Sequence, residues 1–366
     1  MIHLILGTKA QYIKTAPVLW ELEARGIPFR LIDTGQHAGR SSQLREELKV
    51  RPPDLRMRTG GDLAQVKAGL SWMGGWIARG LAPPRLIRER LFAGQDGICL
   101  VHGDTASTWL GAWLAKRAGL KVAHLEAGLR SFHLLSPFPE EWCRRQTSRM
   151  AELLFAPSPW AAENLRRMRV KGRVILLGAN TGLEAVRFSL KQPPQATPPW
   201  PAFALGLIHR METLYSRRRL SFVVKALLRA AEESPLLFLL HEPTRRALTR
   251  AGLMGRLEAH PKVRCQSLVS HHAFIQLLQK ARFVVTDGGS VQEESFYLNV
   301  PCLILRDRTE RPEGLIPPGN VFLARWRWDR VEAFLKRPED HHHRQELPAV
   351  NPSRQVVEAL LSFLRF

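Results

Sequence analysis

Short apolar runs rich in β-formers alternate along this chain with longer amphipathic ones, and that alternation limits the fold more than any other feature. "IHLILG" and "IKTAPVLWELEARG" come first, then "FRLIDTG", "GICLVHGD" with "TWLGAWLAKRAG", "KVAHLEAG", "LLFAPS" and "RVILLGAN". Strand-length runs separated by helix-length segments predict a parallel sheet with helices on both faces. The pattern restarts after the proline-rich stretch "KQPPQATPPWP", Lys191 to Pro201, with "FALGLIH", "LLFLLHE", "VRCQSL", "FVVTDGG" and "PCLILRD". The expected fold class is α/β: two Rossmann-like doubly wound domains facing a cleft, joined by a stiff linker. Their expected extents are residues 1–185 and 202–366, sizes that suit a chain of 366 residues. The terminal run "SRQVVEALLSFLRF" has apolar residues at helical spacing and is expected to pack back on the N-terminal domain.

With 45% hydrophobic and 24% charged residues, the composition is that of a folded globular chain. Apolar runs such as "LLFLL" fall far short of the roughly 18 to 20 residues that span a bilayer. The start "MIHLILGT" lacks the basic and apolar regions of a signal peptide, so a cytoplasmic location is expected. Cys99, Cys143, Cys265 and Cys302 are widely spaced, which suggests neither a disulfide framework nor a zinc site. The run His341 to His343 lies in the polar "PEDHHHRQ" and is expected to be surface loop, so no metal is assigned. The net charge of +21 is spread over both halves instead of forming a basic arm. It points to an anionic partner: a nucleotide diphosphate, an anionic membrane surface, or nucleic acid held through phosphate contacts.

Ligands of open parallel sheets bind beyond the carboxyl ends of the strands. Polar groups stand at each such position here: Gly7-Thr8-Lys9, Gly35-Gln36-His37, His102-Gly103-Asp104, Glu126-Ala127-Gly128, His209-Arg210, His241-Glu242, Asp287-Gly288-Gly289-Ser290 and Arg306-Asp307. "FVVTDGGSVQEESFYL" reads as strand, glycine turn and helix, an arrangement that aims backbone N–H groups at a phosphate, with Arg306 and Arg311 nearby. Asp104, Glu126 and Glu140 all belong to the first domain and suit acid and base work on a sugar nucleotide; crowded carboxylates raise one another's proton affinity. Arg130 and Arg144 would position or moderate them. The chain lacks a Gly-x-Gly-x-x-Gly turn, a Walker lysine motif and a nucleophilic serine elbow.

In order and approximate spacing, "GTKAQYIKTAPV", "TGQHAGR", "VHGDTASTWLGAWLA", "HLEAGLRS", "SPFPEEWCRR", "GLIHRME", "TDGGSVQEE" and "RDRTERPEG" resemble the non-hydrolysing UDP-N-acetylglucosamine 2-epimerases, whose fold is of the GT-B type. The resemblance implies catalytic roles for Asp104, Glu126 and Glu140, and places His209 at the leaving diphosphate. It implies substrate binding by Lys9, Lys14, Arg144, His241, Gly288, Gly289, Ser290, Glu294 and Arg311. The reaction implied is elimination of UDP across C1 and C2 and its re-addition with inversion at C2, with no redox cofactor, in the service of polysaccharide synthesis. Where the family has Gly-Thr-Arg-Pro-Glu this chain has Gly7-Thr8-Lys9-Ala10-Gln11, and lysine keeps the charge but not the planar fork of arginine. The partners expected are the UDP-sugar, a second copy in a homodimer, and an anionic membrane at the periphery, with no specific nucleic acid. The alternative is a glycosyltransferase of the same fold working at a membrane surface.

Overall fold

The computed structural model describes residues 1–36, 38–58, 66–133, 139–315, 319–342 and 349–365. His37, Pro137 and His343 of the stretches quoted above lie outside the described residues. The chain divides into two compact units, Met1–Ala185 with Pro348–Phe366, and Val186–Leu347.

The first unit is built on seven parallel strands: β1 (Ile2–Leu6), β2 (Phe29–Asp33), β3 (Leu55–Arg56), β4 (Ile98–His102), β5 (Lys121–Leu125), β6 (Leu153–Ala156) and β7 (Arg173–Leu176), in the order β3-β2-β1-β4-β5-β6-β7. Every residue of β1 and β4 is buried, which is why these runs are apolar throughout instead of alternating. Ile2 of β1 pairs with Phe29 of β2 on one side and with Ile98 of β4 on the other. The winding therefore reverses between β1 and β4, the place where such sheets open toward a ligand. The C-terminal helix Pro352–Leu364 belongs to this unit. Its Val356, Val357 and Leu360 share a core with Tyr12, Leu19 and Leu22 of the helix Lys9–Ala24. Burying each such aliphatic side chain contributes about 1.5–3 kcal/mol.

The second unit holds six parallel strands, β8 (Ala204–Ile208), β9 (Leu236–Leu240), β10 (Val263–Ser267), β11 (Phe283–Thr286), β12 (Cys302–Ile304) and β13 (Val321–Leu323), in the order β10-β9-β8-β11-β12-β13. Here the winding reverses between β8 and β11. Phe238, Phe283 and Phe334 anchor its core with Val223, Leu227 and Leu303.

Two parallel sheets dressed with helices are the expected fold class, although the sequence pattern missed β3 and β13. These are edge strands of two and three residues, too short to show any periodicity. Among the described residues no helix is long and apolar enough to cross a membrane.

Candidate active site

At the reversal point of the first sheet a single amide joins the two strand ends. Gln11 Oε1 accepts from the backbone N–H groups of Gly7 at 2.8 Å and Thr8 at 3.0 Å. Its Nε2 donates to the His102 carbonyl at 2.8 Å and to the hydroxyls of Thr108 at 2.9 Å and Thr105 at 3.1 Å. One turn farther along the same helix, Lys14 reaches the end of β5, where its Nζ lies 2.9 Å from Glu126 Oε2, both side chains buried. His102 Nε2 stands 3.2 Å from that same oxygen. Glu126 has a φ of 62°, a left-handed conformation that costs a non-glycine residue about 1–2 kcal/mol. Such strain persists only where the surroundings hold it, and here a buried lysine and a histidine grip the side chain.

Asp104 lies just beyond β4, and its carboxylate accepts from Arg144 Nη2. The other terminal nitrogen of Arg144 donates to Glu141 at 3.2 Å. Glu141, with no exposed surface, also accepts from Arg130 Nε and from the N–H and hydroxyl of Ser131, at 3.0 and 3.2 Å. Asp104 keeps 27% of its side chain exposed and is the open end of this buried chain of charges. Glu140 begins the helix Glu140–Met150 and is partly buried. Burial, then the charges of Asp104 and Glu140, push the Cys143 thiol up to about 12, so both carboxylates lie near it. Beneath the turn, burial lowers the pKa of His124 to about 4. The neutral ring donates from Nε2 to the Gly103 carbonyl at 2.7 Å and accepts at Nδ1 from the Ser148 hydroxyl, 3.1 Å away. Asp104 and Glu126 thus each meet a buried cation in place of one another.

The second unit's reversal point has the opposite character. Asp287, fully buried beyond β11, accepts from the backbone N–H groups of His209 at 3.0 Å and Arg210 at 3.2 Å, which follow β8. Gly288 precedes the helix Gly289–Leu298, whose first-turn N–H groups have no acceptor within the helix. A Cβ at Gly288 would collide with Cε1 of His209, and one at Gly289 would sit 3.0 Å from Glu310 Oε1 and 3.2 Å from Arg311 Nε. Glycine stands here because an imidazole and a guanidinium lie against the turn. Arg311 is held by Glu293, Nη1 to Oε2 at 2.9 Å, and Glu293 in turn accepts from the Tyr297 hydroxyl at 3.0 Å. Gln292 Nε2 donates to the carbonyls of Arg311 and Glu313, at 2.9 and 3.3 Å, fixing the loop that carries the arginine. Arg306 pairs with Glu310 at 3.2 Å and Arg210 with Glu212 at 2.8 Å. A helix N-terminus beside a histidine and several arginines is an arrangement that suits an anion.

The remaining expected residues are placed as follows. Glu294 accepts from His271 Nε2 at 3.1 Å, and His271 and His272 both meet the Ser189 hydroxyl, at 3.2 and 2.9 Å. Lys9 opens the helix after β1, His241 precedes the helix after β9, and Ser290 lies in the first turn after Gly288, all three partly exposed.

Residues 21–353 match the model of the UDP-N-acetylglucosamine 2-epimerases. The chain belongs to the UDP-N-acetylglucosamine 2-epimerase family. It is 32% identical over 334 residues to the UDP-N-acetylglucosamine 2-epimerase of Methanococcus maripaludis, covering 87% of each chain. It is 30% identical over 328 residues to the UDP-2,3-diacetamido-2,3-dideoxy-D-glucuronate 2-epimerase of Pseudomonas aeruginosa, again covering 87% of each. The structure superposes on that of the Methanocaldococcus jannaschii UDP-GlcNAc 2-epimerase in complex with UDP-GlcNAc and UDP, with a TM-score of 0.82, 27% identity and 99% of each chain covered.

Three residues of this family member that shape the site were not singled out for it from the sequence, Gln11, His124 and Glu141, and a fourth, Asp287, was placed at a strand end without its role. Gln11 and His124 sit within apolar or helical runs and act only through contacts with distant segments. Asp287 was visible as part of a turn, and its backbone acceptor role needed β8 beside it. Glu141 adjoins Glu140, and only the fold tells which of the two points inward.

Proposed function

We propose that the protein interconverts UDP-N-acetylglucosamine, or a closely related UDP-activated acetamido sugar, with its C2 epimer, and so supplies polysaccharide synthesis. The observation that carries this is the pair of carboxylates beyond β4 and β5, each held by a buried cation, in a chain of this family. In the reaction a carboxylate takes the C2 proton as the C1–O bond breaks and its electron pair leaves with UDP, giving a C1–C2 double bond. UDP oxygen then re-adds at C1 while a carboxyl group returns a proton to the opposite face of C2. Hydrogen moves as a proton throughout, so the sugar undergoes no net oxidation. We assign the proton traffic to Asp104, Glu126 and Glu140, and the diphosphate to His209, Arg311 and the Gly288-Gly289-Ser290 turn. The family match favours this chemistry over the glycosyltransferase alternative.

The test is to incubate the protein with UDP-N-acetylglucosamine alone in heavy water and follow the sugar by NMR. Epimer carrying deuterium at C2 is the expected product; deuterium-free epimer would remove the elimination mechanism.

Two partner readings accompany the reaction. A homodimer would cover exposed apolar side chains such as Leu81 and Ile77 of the first unit, and sedimentation at micromolar concentration checks it. A peripheral contact with anionic lipid would use cations that the site does not: Arg217, Arg218, Lys225 and Arg325 are exposed and have no carboxylate partner among the described residues. Such a protein pellets with anionic vesicles, stays free of neutral ones and is released by moderate salt.

A further inference from the structure

Glu141 is the buried residue on which the acid cluster of the first unit converges, and no step of the proposed reaction uses it. Its carboxylate has four donors: Arg130 Nε, Arg144 Nη1 at 3.2 Å, the Ser131 N–H at 3.0 Å and the Ser131 hydroxyl at 3.2 Å. It has no exposed surface. A fully buried carboxylate between two arginines is costly unless its geometry does something that an apolar residue could not.

The guanidinium of Arg144 shows what that is. Its two terminal nitrogens are divided, Nη1 to Glu141 and Nη2 to Asp104, and the side chain is 2% exposed. A guanidinium is planar and rigid, so holding one edge fixes the direction of the other. Glu141 and Arg144 are three residues apart in the helix Glu140–Met150 and share one face of it. Glu141 therefore sets the single direction from which Arg144 meets Asp104. It also leaves Asp104 to bond one nitrogen of the fork instead of two. With this hold removed, the guanidinium could turn to take Asp104 in a bidentate pair, the preferred geometry of arginine and carboxylate.

We propose that Glu141 is a positioning residue for the epimerase reaction: by holding Arg144 and Arg130 it keeps the Asp104 carboxylate open on one side, available for proton transfer. This rests on the function proposed above, which gives Asp104 its role. Glu140, its neighbour in sequence, faces the reacting groups on that view, whereas Glu141 never touches substrate.

The experiment compares wild type with Glu141→Gln, Glu141→Asp and Ser131→Ala. The readouts are kcat, KM, the pH profile of kcat, UDP affinity and the thermal unfolding midpoint. Misplacing a reacting group costs up to about a hundredfold, so Glu141→Gln is expected to lower kcat at least about tenfold with KM and UDP affinity within about threefold. The acid limb of its pH profile should move, and Glu141→Asp should recover part of the loss. Ser131→Ala, which leaves the carboxylate in place, serves if Glu141→Gln fails to fold; it should show a smaller fall in kcat with the same shift of profile. Wild-type kcat and profile in both Glu141→Gln and Ser131→Ala would overturn the proposal. So would losses that follow the unfolding midpoint alone with an unmoved profile. If wild type itself puts no solvent deuterium at C2, the proposed reaction fails first and separately.

Discussion

The two sheets reverse their winding in the same way, yet the groups they present there are opposite in sign. Beyond β4 and β5 stand carboxylates, each paired with a buried cation: Asp104 with Arg144 and Glu126 with Lys14. Beyond β8, β11 and β12 stand backbone N–H, imidazole and guanidinium groups, each held by a buried carboxylate: Asp287 with the N–H groups of His209 and Arg210, Glu293 with Arg311, Glu310 with Arg306. One topology thus carries carboxylates at the strand ends of the first unit, and cations with backbone N–H groups at those of the second. The first arrangement suits proton transfer at a carbon. The second suits an anion that must be gripped and released.

If this division is right, binding and chemistry separate by unit. Glu126→Gln, Asp104→Asn and Glu140→Gln should each lower turnover at least about a hundredfold, the contribution typical of a general acid or base. UDP affinity should stay within a few fold. Arg311→Ala and His209→Ala should instead weaken UDP about tenfold or more, since charge-assisted hydrogen bonds act before any chemistry. Calorimetric UDP titration beside steady-state kinetics gives both numbers. Near wild-type turnover in all three carboxylate variants, or unchanged UDP affinity in both cation variants, would break the division.

How far the sequence alone could reach this contrast is clear from particular residues. Strand ends were legible because the apolar runs stop sharply at polar residues, so Asp104, Glu126, His209 and Gly288 could be placed without coordinates. The glycine turn was legible as a strand-to-helix junction for the same reason. Arg144 was expected beside the carboxylates, but which cation backs which carboxylate was not legible. Asp104 and Arg144 are 40 residues apart, Lys14 and Glu126 are 112 apart, and no local pattern pairs them. The choice between Glu140 and Glu141 hangs on a turn of about 100° around a helix. The sequence suggested carboxylates crowding one another with Arg130 and Arg144 to moderate them; the fold sets Arg144 on Asp104, Lys14 on Glu126 and Arg130 on Glu141.

The buried supports beneath the two turns differ as well, and pH tests that difference. Burial holds the His124 ring neutral in the folded chain, with a pKa of about 4 against an ordinary 6.5. Between those values the unfolded chain binds a proton that the folded ring refuses. The stability contributed is therefore fully present above pH 6.5 and declines as pH falls toward 4. Moving from pH 7 to pH 5.5 should cost the first unit about 1 kcal/mol through this residue. Denaturant unfolding at the two pH values checks it, and His124→Gln should flatten the dependence. His3, also buried with a pKa of about 4, leaves a residual slope in the variant. An identical slope with and without His124 would mean that the ring is not held neutral.

The smallest effect concerns the glycine turn. Gly288 has φ of −90° and ψ of 128°, an extended conformation open to any residue, so glycine is not needed there for backbone freedom. What forbids a side chain is the imidazole of His209, into which a Cβ would project. An imidazole can swing aside, whereas a backbone could not. Gly288→Ala should therefore fold with near wild-type stability and weaken UDP only several-fold, because His209 would be displaced while the helix N–H groups and Arg311 remain. The His209→Ala change should then add little in the Gly288→Ala background, since two changes acting on one contact do not sum. A double-mutant cycle on UDP affinity measures this directly. Fully additive losses would mean that alanine blocks the anion itself instead of moving the histidine, and the turn would then have to lie closer to the diphosphate than His209 does.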